Sequence, residues 1–286
     1  MPVSQLLSAE ISHCCNYIGQ CAELCELRCR EPTQYVSIDG DPCTKLQVRV
    51  QDSFADHPLV IGPRYQPSDV RCTWASFLGR QTSGVLVFGV NDGVKTAQRI
   101  HQSKPTRSYR ISGQFGQATD TFFKDGRIVE KSTFRHVKRV NIDRCVAAMQ
   151  ATHQKQMFEL CGVDIQSQAA YELATSGLIR PSNSKTPLLY GIRCVHFESP
   201  NFTIEVQCIN EYEQYLRALI HEIGVQMHTT AHCTAVQCIR HSHFTLHHAL
   251  LQKHWTLQHL LDNMSTCRAV LAEHEHLVRH QSAVLI

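Results

Sequence analysis

Three shortages in the chain each remove a class of protein. None of its 14 cysteines forms a Cys-x-x-Cys pair, and no leader of the secretory kind precedes the first of them, so a disulfide framework is not expected. The longest apolar run, Val85-Leu86-Val87-Phe88-Gly89-Val90, falls far short of the roughly 20 residues a spanning helix needs. Charged residues reach only 19%, below the roughly 25% of an average globular chain. Basic residues are also absent from the start. Arg28 is the first, after Glu10, Glu23 and Glu26, which is not the Arg-rich, acid-poor make-up of a transit peptide.

What is present is a 286-residue chain with 43% hydrophobic residues, enough for a buried core. Cysteine and histidine are plentiful and call for a test of metal binding. Cys21, Cys25 and Cys29 recur at i, i+4, i+8 and would stack three thiols on one helical face. Such cysteines serve as small core hydrophobes more often than as ligands. The crowd of His241, His243, His247, His248, His254 and His259 includes no His-Glu-x-x-His pattern. No metal and no cofactor is expected.

Net charge is only +3, yet it is unevenly placed. Between Asp92 and Arg144 stand 12 Lys or Arg against 5 acids, a local +7, which leaves 16 basic against 20 acidic residues elsewhere. Lys95, Arg99, Lys104, Arg107, Arg110, Lys124 and Arg127 therefore form a candidate phosphate-binding surface. Tyr109, Phe115, Phe122 and Phe123 lie among them, and aromatic faces are common supports for unstacked bases. A merely solvated basic face is the competing reading.

Apolar periodicity predicts a strand over 85–90, a helix over 93–102, a strand over 108–115, a helix from Asn141 to about 152, and another from Ser167 to Gly177 ahead of Pro181. Leu188–His196 and Phe202–Cys208 read as a hairpin around Glu198-Ser199-Pro200-Asn201. A stripe of Tyr215, Leu216, Leu219, Ile220 and Ile223 predicts a helix over 211–227. A strand near 230–239 and helices near 246–262 and 265–282 follow, and weak helical patterning at 17–29 precedes. Mixed order without regular βαβ alternation points to an α+β fold around a largely antiparallel or mixed sheet with flanking helices.

Several stretches resemble the TruB family of RNA pseudouridine synthases, and most of all its animal mitochondrial branch. Phe77-Leu78-Gly79-Arg80-Gln81-Thr82-Ser83-Gly84-Val85-Leu86-Val87 is similar to the family's LDxxASGVLVV segment. Tyr109 with Gly116-Gln117-Ala118-Thr119-Asp120-Thr121 is similar to Y…GxxTDT, Ala170-Tyr171-Glu172-Leu173-Ala174-Thr175-Ser176-Gly177 to LYExARxG, and Tyr215-Leu216-Arg217-Ala218-Leu219 to GTYIRSL. The resemblance spans about 57–263, preceded by a divergent segment, 1–56, and followed by a helical tail, 264–286. It implies a pseudouridine-synthase-like sheet without the C-terminal PUA module and a monomer that acts on tRNA or mitochondrial RNA. It also implies a mitochondrial location, with cytoplasm or nucleus left open.

The resemblance further implies the chemistry. A structured RNA is bound, one uridine is turned out of its stack, and its bond to the ribose is broken and remade through carbon. A carboxylate serves as nucleophile, an arginine keeps it ionised, and a tyrosine supports the base. Arg217 falls on that arginine, Tyr215 on its neighbour and Tyr109 on the base-facing tyrosine. The aspartate position reads Gly79, with Leu78 and Ser83-Gly84 in register on either side. The Lys-Pro strand that opens the family's catalytic domain is not recognisable in 1–40, and the expected Arg-Arg pair reads Val236-Gln237-Cys238. Asp120 lies in the TDT turn and Asp92 on the far side of its strand, so neither is expected to replace the nucleophile. Three readings stand: an RNA binder whose isomerase activity is lost or much reduced, an isomerase using another acid, and a metal- or partner-binding protein on the same fold.

Overall fold

A computed structural model describes residues 71–175, 179 and 185–274, together with two backbone strands, β1 (Gln34–Ser37) and β2 (Gln47–Val50). The helical patterning at 17–29, Cys21, Cys25 and Cys29, and the Gly177 and Pro181 stop signals lie outside the described residues. After β2 come β3 (Cys72–Trp74), β4 (Thr82–Gly84), β5 (Phe88–Val90), α1 (Gly93–Ser103), β6 (Arg107–Phe115), β7 (Gln117–Thr119) and β8 (Ile128–Lys131). Then follow α2 (Arg139–Leu160), α3 (Gln168–Thr175), β9 (Leu188–Glu198), β10 (Asn201–Ile209), α4 (Glu213–Gln226), β11 (Ala231–His241), β12 (Phe244–Thr245) and α5 (Leu257–Glu273). The chain divides into two compact units.

The smaller unit takes Met1–Thr73, Phe88–Val94 and Leu250–Ser265. In it β1 and β2 pair antiparallel, Gln34 opposite Val50, and β3 lies beside β5. Asn91 ends β5 with a left-handed φ of 48°, a conformation Asn tolerates better than most residues, and its Oδ1 accepts the Arg71 N–H at 3.0 Å.

The larger unit, Trp74–Val87, Lys95–Ala249 and Thr266–Ile286, is built on a six-stranded sheet ordered β12-β11-β6-β10-β9, with β4 parallel to β11 and the other neighbours antiparallel. This is the mixed sheet of an α+β fold. Period-2 alternation turns Ile111 and Phe115 of β6 and Phe202, Ile204 and Val206 of β10 to one buried face, where Phe115 stacks on Phe202 at 4.3 Å. Helix α4 lays Leu216, Leu219, Ile220 and Ile223 on that face, each at most 1% exposed. Gly113 lets it approach: a Cβ there would come within 2.7 Å of Ile220 and 2.8 Å of Phe202.

Four expected boundaries move. The apolar run 85–90 is not one strand, because Gly84 leaves β4 at a φ of 118° and only Phe88–Val90 forms a strand again. Helix α2 runs on to Leu160 because Met157 continues its buried stripe into a small cluster with Leu188 and Ile209. The hairpin loop shrinks to Ser199-Pro200, since Asn201 and Glu198 still pair. Among the described residues the two expected C-terminal helices become 3-10 turns at Leu246–His248 and Gln252–His254 followed by the single α5, while 275–282 of the second lie outside the described residues. The Thr245 N–H donates to His248 Nδ1 at 3.2 Å and closes the first of those turns on itself.

Candidate active site

The segment after Leu78 turns tightly, with Thr82 N–H donating to the Gly79 carbonyl at 3.1 Å. This turn faces the start of α4. Glu213, the first residue of that helix, sits where unpaired helix N–H groups favour a negative charge. Its Oε1 accepts the Gln81 N–H at 2.8 Å and the Thr82 hydroxyl at 3.4 Å, and it pairs with Arg217 Nη2 at 2.7 Å one turn further along the helix.

Glu213 explains what fills the space beside residue 79. A Cβ built on Gly79 would lie 2.0 Å from Glu213 Oε2, 2.2 Å from its Cδ and 2.6 Å from its Cβ. The Glu213 side chain therefore occupies the volume into which a side chain at 79 would grow. Its carboxylate and the Arg217 guanidinium are mostly covered, at 17% and 15% exposure.

The second motif braces this pair. Thr119 Oγ1 donates to the Phe123 carbonyl at 2.8 Å, and Asp120 accepts the Arg127 N–H at 2.9 Å. That turn fixes the buried ring of Phe123 under Arg217, whose guanidinium carbon lies 5.0 Å from the ring centroid, within the range of a cation–π contact. Asp125 accepts from Gln81 Nε2. The Nε of Arg217 is buried without a hydrogen-bond partner among the described residues, an uncommon condition for a charged donor.

The structure thus brings Gly79 and Arg217 together and ties the two tyrosines elsewhere. Tyr109 is 2% exposed and donates its hydroxyl to Glu211 Oε1 at 2.8 Å. Burial, reinforced by the Glu211 charge, drives that hydroxyl far above its ordinary pKa. Glu211 also pairs with Arg107 Nε at 2.5 Å, and Arg107 Nη1 donates to the Phe77 carbonyl at 3.2 Å. Tyr215 meets His153 Nε2 at 3.3 Å and tilts against Tyr212. Two residues along a helix, it lies about 200° around the axis from Glu213. Burial raises the Tyr215 pKa and lowers that of His153.

Of the candidate phosphate-binding residues, Lys95, Arg99, Lys104, Arg110, Lys124 and Arg127 are exposed. Arg107 is turned inward onto Glu211, and Arg110 shares Glu205 with Arg193 at 2.7 and 2.6 Å across three strands. The third motif forms α3, capped by Ser167 Oγ on the Ala170 N–H at 3.2 Å. A cavity of about 310 Å³ between α2 and β9 has no site residue in its wall. Among the described residues no cluster of three or more His, Cys, Asp or Glu is arranged to hold a metal, and no helix is long and apolar enough to cross a membrane.

Glu213 and Glu211 were not legible as site residues. One signal for Glu213 was available: an acid four residues ahead of Arg217 on a predicted helix.

Comparison with known proteins gives one family. The N-terminal domain of the TruB family pseudouridylate synthases matches residues 70–213. The chain is 44% identical over 185 residues to human "Pseudouridylate synthase TRUB2, mitochondrial", covering 65% of this chain and 55% of the relative. It is 26% identical over 152 residues to "tRNA pseudouridine synthase B" of Aliivibrio fischeri strain MJ11, covering 53% and 46%. It thus spans about half the length of these curated relatives. Against a solved chain of the archaeal box H/ACA sRNP Nop10-Cbf5 complex, identity is 15% with 61% of this chain and 40% of that chain covered, at a TM-score of 0.36.

Proposed function

We propose a function from one premise: the chain belongs to the TruB family of pseudouridylate synthases. It binds structured RNA, tRNA or mitochondrial RNA, as a monomer, and receives one uridine lifted from its stack beside Arg217. The relative's mitochondrial name supports a mitochondrial location. With glycine at 79 the family's own nucleophile is gone, and isomerisation is much reduced relative to proteins that carry the aspartate.

The observation that carries this reading is the Arg217 site itself. An arginine over the Phe123 ring at 5.0 Å, paired with a carboxylate and holding an unpartnered buried Nε, is a costly arrangement to keep for packing alone. The exposed Lys124 and Arg127 stand on the same braced turn, where phosphate contacts would orient an RNA without reading its sequence. A second reading, an isomerase using another acid, is favoured by the Glu213 carboxylate beside Gly79.

Binding of unmodified tRNA transcripts, measured between about 50 and 200 mM salt, tests the proposal. Affinity should fall steeply, because phosphate contacts release condensed counterions. Affinity that is absent or indifferent to salt would overturn RNA binding. In the same transcripts, pseudouridine formed at the rate of a relative with aspartate would overturn the reduction in activity.

A further inference from the structure

We infer that Glu213 is the catalytic carboxylate of this chain, supplied from α4 in place of the side chain that Gly79 lacks. The inference rests on the reading that the Arg217 site receives a uridine. Three observations converge on it. The Glu213 carboxylate fills the residue-79 side-chain space, with Oε2 2.0 Å from where a Cβ would stand. Its other oxygen, Oε1, is held by Arg217 Nη2 at 2.7 Å and the Gln81 N–H at 2.8 Å, so the group is oriented and its charge is matched. The Thr82 hydroxyl, on the same turn as Gly79, donates to Oε1 as well at 3.4 Å, which ties the carboxylate to that turn.

Other acids near these motifs are less suited. Asp120 closes the turn at Arg127, and Asp125 accepts from Gln81. Glu211 is 1% exposed at its side chain and enclosed by Arg107 and Tyr109. Glu213, at 17%, is reachable from outside.

The chemistry closes without a co-reactant. Glu213 Oε2 donates an electron pair to the ribose C1′ and forms a C–O bond as the C1′–N1 bond breaks and its pair leaves on N1 of the uracil anion. The base turns and presents C5, whose electron pair attacks C1′ and expels the carboxylate with the C–O pair. The C5 proton is then lost and N1 gains one, so the net change is isomerisation and Glu213 is regenerated.

Four proteins, each carrying all 286 residues of the chain, test the assignment: wild type, Glu213→Gln, Gly79→Asp, and the exchange variant Gly79→Asp with Glu213→Gly. Each is incubated with unmodified tRNA transcripts, and both RNA affinity and pseudouridine, by nucleoside mass spectrometry, are read. Wild type should form pseudouridine slowly, and Glu213→Gln should lower the rate about 100-fold or more while RNA affinity stays within about threefold, since that contact is not to phosphate. Gly79→Asp alone should be slower than wild type, because its Cβ meets Glu213, whereas the exchange variant should recover or exceed the wild-type rate.

Wild type forming no pseudouridine, or Glu213→Gln forming it at the wild-type rate, overturns the assignment. Activity in the exchange variant alone makes Glu213 a space-filling partner of Arg217. Loss of RNA binding in all four proteins defeats the underlying reading instead. Should Glu213→Gln fail to fold, Glu213→Asp decides: it keeps the charge but withdraws the carboxylate by one methylene, and a rate unchanged by that withdrawal also overturns the assignment.

Discussion

Glu211 and Glu213 stand two residues apart, each paired with an arginine, in opposite settings. Glu211 meets Arg107 at 2.5 Å with 1% of its side chain exposed and also accepts the Tyr109 hydroxyl. Burial lifts its pKa, and Arg107 and Tyr109 only partly oppose that. Glu213 meets Arg217 at 2.7 Å with 17% exposed. The first pair binds protein to protein: Arg107 continues to the Phe77 carbonyl and so anchors the segment leading to Gly79. The second lies beside Gly79 and keeps part of its carboxylate side chain open to solvent. Desolvation of the acid separates the roles, since a buried Glu211 holds the fold only while its arginine remains.

The largest expected effect breaks the inner pair. Glu211→Ala strands the Arg107 charge and an unanswered Tyr109 hydroxyl, and should cost about 3–5 kcal/mol of folding stability, read as a lower urea midpoint. RNA affinity should fall only in proportion to the unfolded fraction. A loss below about 1 kcal/mol would show that water reaches Arg107 and that the two pairs are alike.

The same inner region should show in acid. His241 is 1% exposed, and burial, with Arg107 and His101 nearby, lowers its pKa to about 4. The folded state therefore holds it neutral while the unfolded chain takes up a proton below about pH 6.5. That contribution is complete above pH 6.5 and is lost as pH falls toward 4, by about 3 kcal/mol. Unfolding of wild type and His241→Leu compared from pH 7 to 4 isolates it: the variant should lose less stability over that window, and parallel curves would refute the burial argument.

The outer pair should matter far less to the fold. Glu213→Gln keeps the shape and its hydrogen-bonding oxygen and removes only the charge assistance of a mostly covered pair, a loss of about 1–2 kcal/mol. A thermal midpoint within a few degrees of wild type is expected. A loss as large as that of Glu211→Ala would make both pairs structural.

The contrast also marks what the residues alone reveal. The stripe Leu216, Leu219, Ile220 and Ile223 and the alternation in 108–115 are local periodicities, and each became a buried face as expected. Gly79 was read as a missing carboxylate because its neighbours keep the motif's register. The acid beside it was not legible, because 134 positions separate Gly79 from Glu213 and only the docking of α4 on the sheet makes them neighbours. Composition likewise counted Arg107 and Arg110 with the free basic residues, although one neutralises Glu211 and the other shares Glu205.

That sorting of arginines and lysines gives the smallest effect. Lys124 and Arg127 are exposed on the turn that seats Phe123 under Arg217, so they are the basic residues placed to meet phosphates beside the site. Replacing either by Ala should leave stability within about 0.5 kcal/mol and reduce the slope of log affinity against log salt by about 0.7–0.9. Arg110→Ala should reduce that slope less than either, because its charge is already paired with Glu205 at the surface. Equal slopes for Lys124→Ala, Arg127→Ala and wild type would move the RNA away from this turn, and the outer pair would lose the phosphate contacts that are proposed to bring a uridine to it.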